Sequence, residues 1–324
     1  MDVEPLVPME PVRVDIIPTG SDWVSQVKWD GVRVLTYAMA GHVELYNRRR
    51  RRRTLHYPEL VDCKRYCDAD AVILDGEVVA LGANGTPDFH QVMKRDAIRR
   101  FERVPVVQRA VPIHYMVFDI LYYNGQWLTD RPFGDRFALL ERVIRPSDVV
   151  QVVTTTNDGP ALYQAMETFD MEGIVAKRVD STYRIGEKVD TWRKIKRYRD
   201  LVAVIGGYTL GDNGVINALL LGMYDEAGAL HYIGHVGTGR LTQEEWRSLT
   251  TRLQALAAQN RPFAEPPSRS RSGSAPVHWV LPVVTVKVHY AEWTRGRSLR
   301  QPSVQSITNI PPTACILRAD LMRP

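Results

Sequence analysis

The stretch TWRKIKRYRDLVAVIGGYTL, Thr191–Leu210, divides the chain into two textures. Its first half is basic and its second half opens a series of closely spaced β-type runs, continued by INALLLGMYD (Ile216–Asp225), ALHYIGHVG (Ala229–Gly237) and PVVTVKVHYAEW (Pro282–Trp293). One helical pattern, Thr242–Ala258, interrupts them, and PPSRSRSGSAP (Pro266–Pro276) has the composition of a loop. Short strands with one inserted helix suit a small barrel of the oligonucleotide-binding type. On the N-terminal side strands and helices alternate irregularly, the pattern of an α+β fold around antiparallel sheets. The expected division is therefore a domain over residues 1–197 and a barrel over residues 198–324.

Within the first part, VRVLTYAM (Val32–Met39) and HVELYN (His42–Asn47) flank Ala40-Gly41 as a hairpin would. Strands are expected at Ala71–Leu81, Ile113–Leu121, Val149–Thr155 and Gly173–Val179, with a turn at Asn84-Gly85. Helices are expected at Tyr57–Cys67, Pro87–Arg100, Asp135–Ile144 and Pro160–Phe169.

Composition sets outer bounds. The 324 residues are 44% hydrophobic and 24% charged, the balance of a folded globular chain. A formal charge of +5 and a pI near 9.1 allow an anionic partner. Three cysteines, Cys63, Cys67 and Cys315, are too few for a disulfide scaffold, and Cys63 and Cys67 with His56 lack the second ligand pair of a zinc site. No window reaches the roughly 18 apolar residues of a membrane span, and the N-terminus has no signal-peptide pattern, so the expectation is a cytoplasmic monomer with no membrane partner.

The chain holds 34 arginines and only eight lysines, which makes each lysine informative. Arginine stays protonated, whereas a lysine can release its proton and act as a nucleophile. Lys28, Lys177, Lys194 and Lys196 read as lying at strand ends or turns beside glycines, acids and aromatics. They fall within five ordered segments: KWDGVR (Lys28–Arg33), LDGEVV (Leu74–Val79), MVFDIL (Met116–Leu121), EGIVAKR (Glu172–Arg178) and WRKIK (Trp192–Lys196).

Those segments, in that order and spacing, resemble the covalent nucleotidyltransferases and, among them, the ATP-dependent DNA ligases. IGGYT (Ile205–Thr209), ALLLGMYD (Ala218–Asp225), HVGTG (His235–Gly239), AEWT (Ala291–Thr294) and LRQP (Leu299–Pro302) are similar to the ligase domain of bacterial ligase D and its stand-alone relatives. The resemblance covers about residues 20–312 and implies a nucleotidyltransferase domain of ATP-grasp-like antiparallel sheets followed by an OB-fold barrel.

It also implies roles. Lys28 would form a covalent lysyl-AMP, with ATP and Mg2+ or Mn2+ as cofactors. Glu77 would hold the ribose or a metal, Glu172 the metal, and Phe118 would stack on adenine. Lys194 and Lys196 would hold the α-phosphate with help from Lys177, and Gln26 would accept from the adenine amino group in place of the family's usual glutamate. Arg33 and Arg48 would contact the nick phosphate, and the rest of the run Arg48–Arg53, Arg49, Arg50 and Arg51 foremost, would track further phosphates. The partner implied is nicked duplex DNA among the nucleoid, with the end-binding protein Ku as a partner in end joining and other repair, plasmid or phage roles open beside it.

One departure stands out. The family carries an Arg-x-Asp-Lys element after LRQP that orients pyrophosphate, and here those positions read Thr308, Ile310 and Pro311, with Arg295, Arg297 and Arg300 as candidate substitutes. An RNA ligase or capping-type enzyme, and a non-catalytic nucleic-acid-binding relative, are the alternatives.

Overall fold

The computed structural model describes residues 4–83, 85–237, 239–267, 276–294 and 296–318. Most of the loop expected at Pro266–Pro276, together with Asn84 and Arg295, lies outside the described residues. The chain divides into two compact units, Met1–Arg197 and Tyr198–Pro324.

The first unit carries, in chain order, β1 (Glu10–Arg13), β2 (Trp23–Val27), β3 (Val32–Met39), β4 (His42–Asn47), β5 (Ala71–Val79), α1 (Phe89–Asp96), α2 (Val104–Ala110), β6 (His114–Tyr123), β7 (Gln126–Trp127), α3 (Phe133–Val143), β8 (Val150–Val152), α4 (Gly159–Thr168), β9 (Gly173–Arg178) and β10 (Lys188–Lys196). They form two sheets, one ordered β1-β10-β9-β2 and the other β4-β3-β5-β6-β7 with β8 on β6. All pairs are antiparallel except β1 with β10 and β6 with β8. The hairpin between β3 and β4 turns at Ala40 (φ 51°) and Gly41 (φ 79°), two successive left-handed residues that match the twist of the flanking strands. Asp88 caps α1 by accepting from the amides of His90 and Gln91, and Asp158 caps α4 by accepting from Ala161.

Two expectations are corrected. Tyr57–Cys67 is not one helix: Pro58–Leu60 and Cys63–Arg65 are separate 3₁₀ turns. Four of its five buried residues, Tyr57, Leu60, Cys63 and Tyr66, recur every third position, the 3₁₀ period, and Cys67 is the fifth. WRKIK is the end of a nine-residue strand, so Lys177 and Lys194 lie inside strands β9 and β10 and only Lys28 and Lys196 lie at ends.

The second unit carries β11 (Arg199–Leu210), β12 (Ile216–Tyr224), β13 (Leu230–Val236), α5 (Gln243–Gln254), β14 (His278–Trp279), β15 (Thr285–Tyr290), β16 (Glu292–Trp293), β17 (Leu299–Arg300) and β18 (Ser303–Thr308). The main sheet runs β13-β12-β11-β15-β18. A parallel bridge between Gly239 and Val304, with the Arg240 amide donating to the Val304 carbonyl at 2.8 Å, joins the chain leaving β13 to β18 at the opposite edge and closes the sheet into a barrel. Thr242 and Glu245 cap α5 reciprocally.

In the first unit, α3 is fastened to β6 by charge as well as by apolar packing. Arg136 Nε and Nη2 donate to the two Asp119 carboxylate oxygens at 2.8 Å each, and both side chains are 0% exposed. Its remaining Nη1 donates to the carbonyls of Arg131 and Ser181. Asp119→Ala leaves a buried guanidinium without its counter-charge and is expected to cost about 3 to 5 kcal/mol. The double change Asp119→Leu with Arg136→Met is expected to recover most of that loss. Urea unfolding of the parent protein and the two variants checks both statements, and a single-variant loss below about 1 kcal/mol contradicts the first.

Candidate active site

Strand register assembles the site. Across β10, β9 and β2 the partners form successive rows on one face: Trp192, Lys177 and Val24, then Lys194, Val175 and Gln26, then Lys196 and Gly173. Lys28 follows β2 immediately and extends the third row through a 2.9 Å hydrogen bond from its amide to the Gly173 carbonyl. Gly173 is required there. It sits at φ 131°, and a Cβ would lie 2.1 Å from the Ile195 carbonyl oxygen.

Glu172, one residue before it, gathers the cations. Lys28 Nζ donates to its Oε2, and Lys196 Nζ lies 2.7 Å from its Oε1. Burial opposes the charge on Glu172, but Lys28 and Lys196 hold its carboxyl below the ordinary range. Burial likewise opposes the Lys28 ammonium, and Glu172, Glu77 and Asp30 outweigh it, so its pKa is raised. Lys194 is lowered, by burial and by the neighbouring ammonium groups of Lys28, Lys196 and Lys188. Two ammonium groups therefore share one carboxylate while a third, on Lys194, stands near both of them, an excess of positive charge suited to a polyphosphate.

The second sheet presents the opposing wall. Arg33, Glu77 and Met116 stand side by side across β3, β5 and β6, and Phe118 follows Met116 on the same face. Burial pushes the Glu77 carboxyl up to about 8, against the pull of Lys28 and Arg33. Phe118 and Trp29 pack against Val79, Met116 and Val153. Gln26 donates its amide nitrogen to the Val153 carbonyl at 3.3 Å, which leaves its own carbonyl oxygen as an acceptor. Gly31 lets the Lys28 loop lie against β5, since a Cβ there would stand 2.2 Å from the Val78 carbonyl oxygen.

Two assignments move. Arg33, expected on the nick phosphate, is buried in a fork-to-fork pair with Asp75 (2.8 and 2.6 Å), while its Nη1 donates to the Met9 carbonyl at 2.7 Å and its Nη2 to Tyr183 Oη at 3.2 Å. Lys177, expected on the α-phosphate, is 2% exposed. Its Nζ sits 4.6, 4.5 and 3.9 Å from the ring centres of Phe118, Phe133 and Trp192 and donates to the Phe118 carbonyl at 3.2 Å. Its ammonium braces the Phe118 wall from behind.

The arginine run is a tight turn with two fates. Asn47 Oδ1 accepts from the amides of Arg49 and Arg51, and Arg50 takes a left-handed conformation. Arg48, Arg49, Arg50 and Arg51 are exposed. Arg52 pairs with Glu44 at 3.1 Å and Arg53 with Asp96 at 2.7 Å. In the second unit, Thr308 is bound side chain to side chain with Thr285, Ile310 is exposed, and Arg300 pairs with Glu292. Sequence reasoning missed Asp75, Tyr183 and Trp29, of which only Asp75 carries a local signal, as an acid paired with glycine inside a motif.

Comparison with known proteins follows the same two-part division. The family described as ATP dependent DNA ligase domain matches residues 11–196, and that described as ATP dependent DNA ligase C terminal region matches residues 212–309. The chain is 33% identical over 287 residues to the multifunctional non-homologous end joining DNA repair protein LigD of Mycobacterium tuberculosis, covering 87% of this chain but 36% of that protein. It thus spans about a third of the length of the LigD proteins. It is 32% identical to DNA ligase C2 of Mycolicibacterium smegmatis, covering 80% of this chain and 73% of that one. The solved ligase domain of M. tuberculosis LigD superposes with a TM-score of 0.54 at 29% identity, covering 98% of this chain and all of that one.

The buried Lys177 generates a test. Burial lowers its pKa to about 7 from an ordinary 10.5. Between those values the unfolded chain binds the extra proton, so this group adds stability as pH rises and penalises the fold most below about pH 7. Lys177→Met is therefore expected to show its largest gain in Tm over the parent protein near pH 6 and the smallest near pH 9.5. A Tm difference that stays constant across that range means the three rings keep the ammonium charged.

Proposed function

Because the chain belongs to the ATP-dependent DNA ligases, we propose that Lys28 is its adenylated nucleophile and that it seals nicks in duplex DNA. The observation that carries this reading is the pairing of Lys28 and Lys196 with Glu172, with the Lys194 ammonium close enough to both lysines to be lowered by them. In the first step the Lys28 amine attacks the α-phosphorus of ATP, a phosphoramide N–P bond forms, and pyrophosphate leaves with the bond electrons. Attack needs the free amine, so the proton that Lys28 donates to Glu172 must first be given up, with that carboxylate as its acceptor. In the second step an oxygen of the DNA 5′-phosphate attacks the same phosphorus and Lys28 leaves. In the third the 3′-hydroxyl attacks the activated 5′-phosphate and AMP departs.

Residue roles follow from position. Lys194 and Lys196 hold phosphate oxygens. Phe118 and Trp29 provide the apolar wall against which a base stacks, with the Gln26 carbonyl oxygen accepting from its amino group. Glu77, beside Arg33 on the opposing wall, hydrogen-bonds a ribose hydroxyl or helps to hold a metal ion. No cluster of three or more His, Cys, Asp or Glu is arranged as a metal cage among the described residues. Magnesium commonly takes only one or two carboxylates and completes its shell with water and phosphate, so Glu172 and Glu77 are a fitting pair to hold it. Such an ion supplies charge neutralisation to the phosphates. Arg33 acts as a positioning residue, and the exposed Arg48, Arg49, Arg50 and Arg51 meet DNA phosphates without reading sequence. A place in end joining beside Ku rests on the likeness to LigD alone.

Lys28→Arg keeps the charge but supplies no free amine, and it is expected to abolish labelling by α-phosphate-labelled ATP and nick sealing while DNA binding persists. A Lys28→Arg protein that still acquires AMP removes Lys28 as nucleophile.

The residues Thr308, Ile310 and Pro311 carry no cation for departing pyrophosphate, which is present only in the first step. Loss of one such charge-stabilising donor typically slows a step about 100- to 1,000-fold. A nick supplied already adenylated is therefore expected to be sealed at least about tenfold faster than one sealed from ATP. Equal single-turnover rates from the two starting points, unchanged by Arg297→Ala and Arg300→Ala, contradict this.

A further inference from the structure

A second cluster of cations lies outside every motif of the catalytic site. After α1 the chain reads IRRFERVPVVQRA, Ile98–Ala110, and Arg99, Arg100, Arg103 and Arg109 are all exposed there. Several other arginines of the same unit are committed to carboxylates, as Arg33 is to Asp75, Arg95 to Glu59, Arg136 to Asp119 and Arg193 to Asp190. Among the described residues, Arg99, Arg100 and Arg103 make no ion pair, although Glu102 is exposed among them.

The cluster is continuous with the arginine turn. Arg53, at the end of that turn, pairs with Asp96 at the end of α1. His56 meets Phe101 edge to face at 5.3 Å, and Tyr57 Oη donates to Asp96 at 3.0 Å. Arg95 completes the join by donating to the His56 carbonyl at 2.8 Å. Two sets of exposed cations, for which no ion pair is found among the described residues, are thus joined through a partly buried group of polar and ring contacts. Phe101 (42% exposed) and Val106 (67% exposed) stand among the second set, apolar groups that water does not favour. Like charges held together in solution repel, and a regularly charged polyanion with apolar sugar edges satisfies both features at once.

We propose that Arg99, Arg100 and Arg103 form a second phosphate-contact surface that extends the duplex footprint beyond the Arg48–Arg51 turn. This rests on the ligase reading for its choice of duplex DNA as the occupant. The contacts are non-specific in sequence and add to affinity, not to chemistry.

The test uses the full chain without ATP or magnesium, so that nothing is sealed, and a nicked duplex of about 30 base pairs across a salt series. Each phosphate contact contributes about 0.9 to the slope of log affinity against log salt. Replacing Arg99, Arg100 and Arg103 together with Ser is expected to flatten the slope by about 2 to 3 units. Replacing all three with Lys, which keeps a point charge, is expected to leave it within about one unit of the parent. An unchanged slope in the Ser protein overturns the proposal, and so does an equal loss in the Ser and Lys proteins, which marks an effect of shape and not of charge. If the triple variant does not fold, the single Ser variants decide instead: each is expected to remove about one unit of slope, and three unchanged slopes overturn the proposal. Failure of the ligase reading is distinguished separately, by a parent protein that binds the duplex yet neither acquires AMP nor seals the nick.

Discussion

The buried knot around Arg33 sets the spacing on which the site depends. Its guanidinium joins Asp75 on β5 to the Met9 carbonyl beside β1, while Tyr183, from the segment between β9 and β10, donates to the same Asp75 at 2.6 Å. Strands of both sheets are tied through one carboxylate that is fully shielded from water. A buried pair of this kind does little for net stability compared with apolar packing, yet removal of one member is severe because the other charge remains. It therefore fixes placement more than it adds strength. The rows that carry Lys194 and Gln26 on one side and Glu77 and Met116 on the other inherit their separation from it.

Much of this was legible in the sequence because the chemistry-bearing residues sit in short segments whose alternation fixes their direction. Lys194 and Lys196, two apart on β10, share a face, and so do Glu77 and Asp75 on β5. What escaped the sequence was whatever depends on distant partners. β1 is a strand because it pairs with β10 from the opposite end of the unit. The cage around Lys177 draws rings from β6, α3 and β10, and no local pattern announces that three aromatics will converge on one amine. Arg33 looked available because its motif places it near Lys28, and the carboxylate it pairs with lies forty-two positions along the chain.

The arginine run shows how identical letters acquire different physical standing. Asn47 draws the amides of Arg49 and Arg51 inward, which forces their side chains outward and leaves four cations displayed on a small turn. The chain then re-enters register, with the Arg53 amide donating to Leu45 at 2.6 Å, and the last two arginines meet carboxylates. Composition alone treats the six as one patch. Backbone geometry divides them into four that face outward and two that fasten the turn to the body.

The pairing of Lys28 with Glu172 has a consequence for the protein at rest. A free, low-pKa lysine in a concave site is a standing target for carbon dioxide, aldehydes and acyl phosphates, each of which needs the nitrogen lone pair. Here that lone pair is occupied by a proton held in an ion pair, and the raised pKa keeps it occupied. The same contact that orients the Lys28 amine also keeps it chemically silent, so the amine is preserved against wasteful modification.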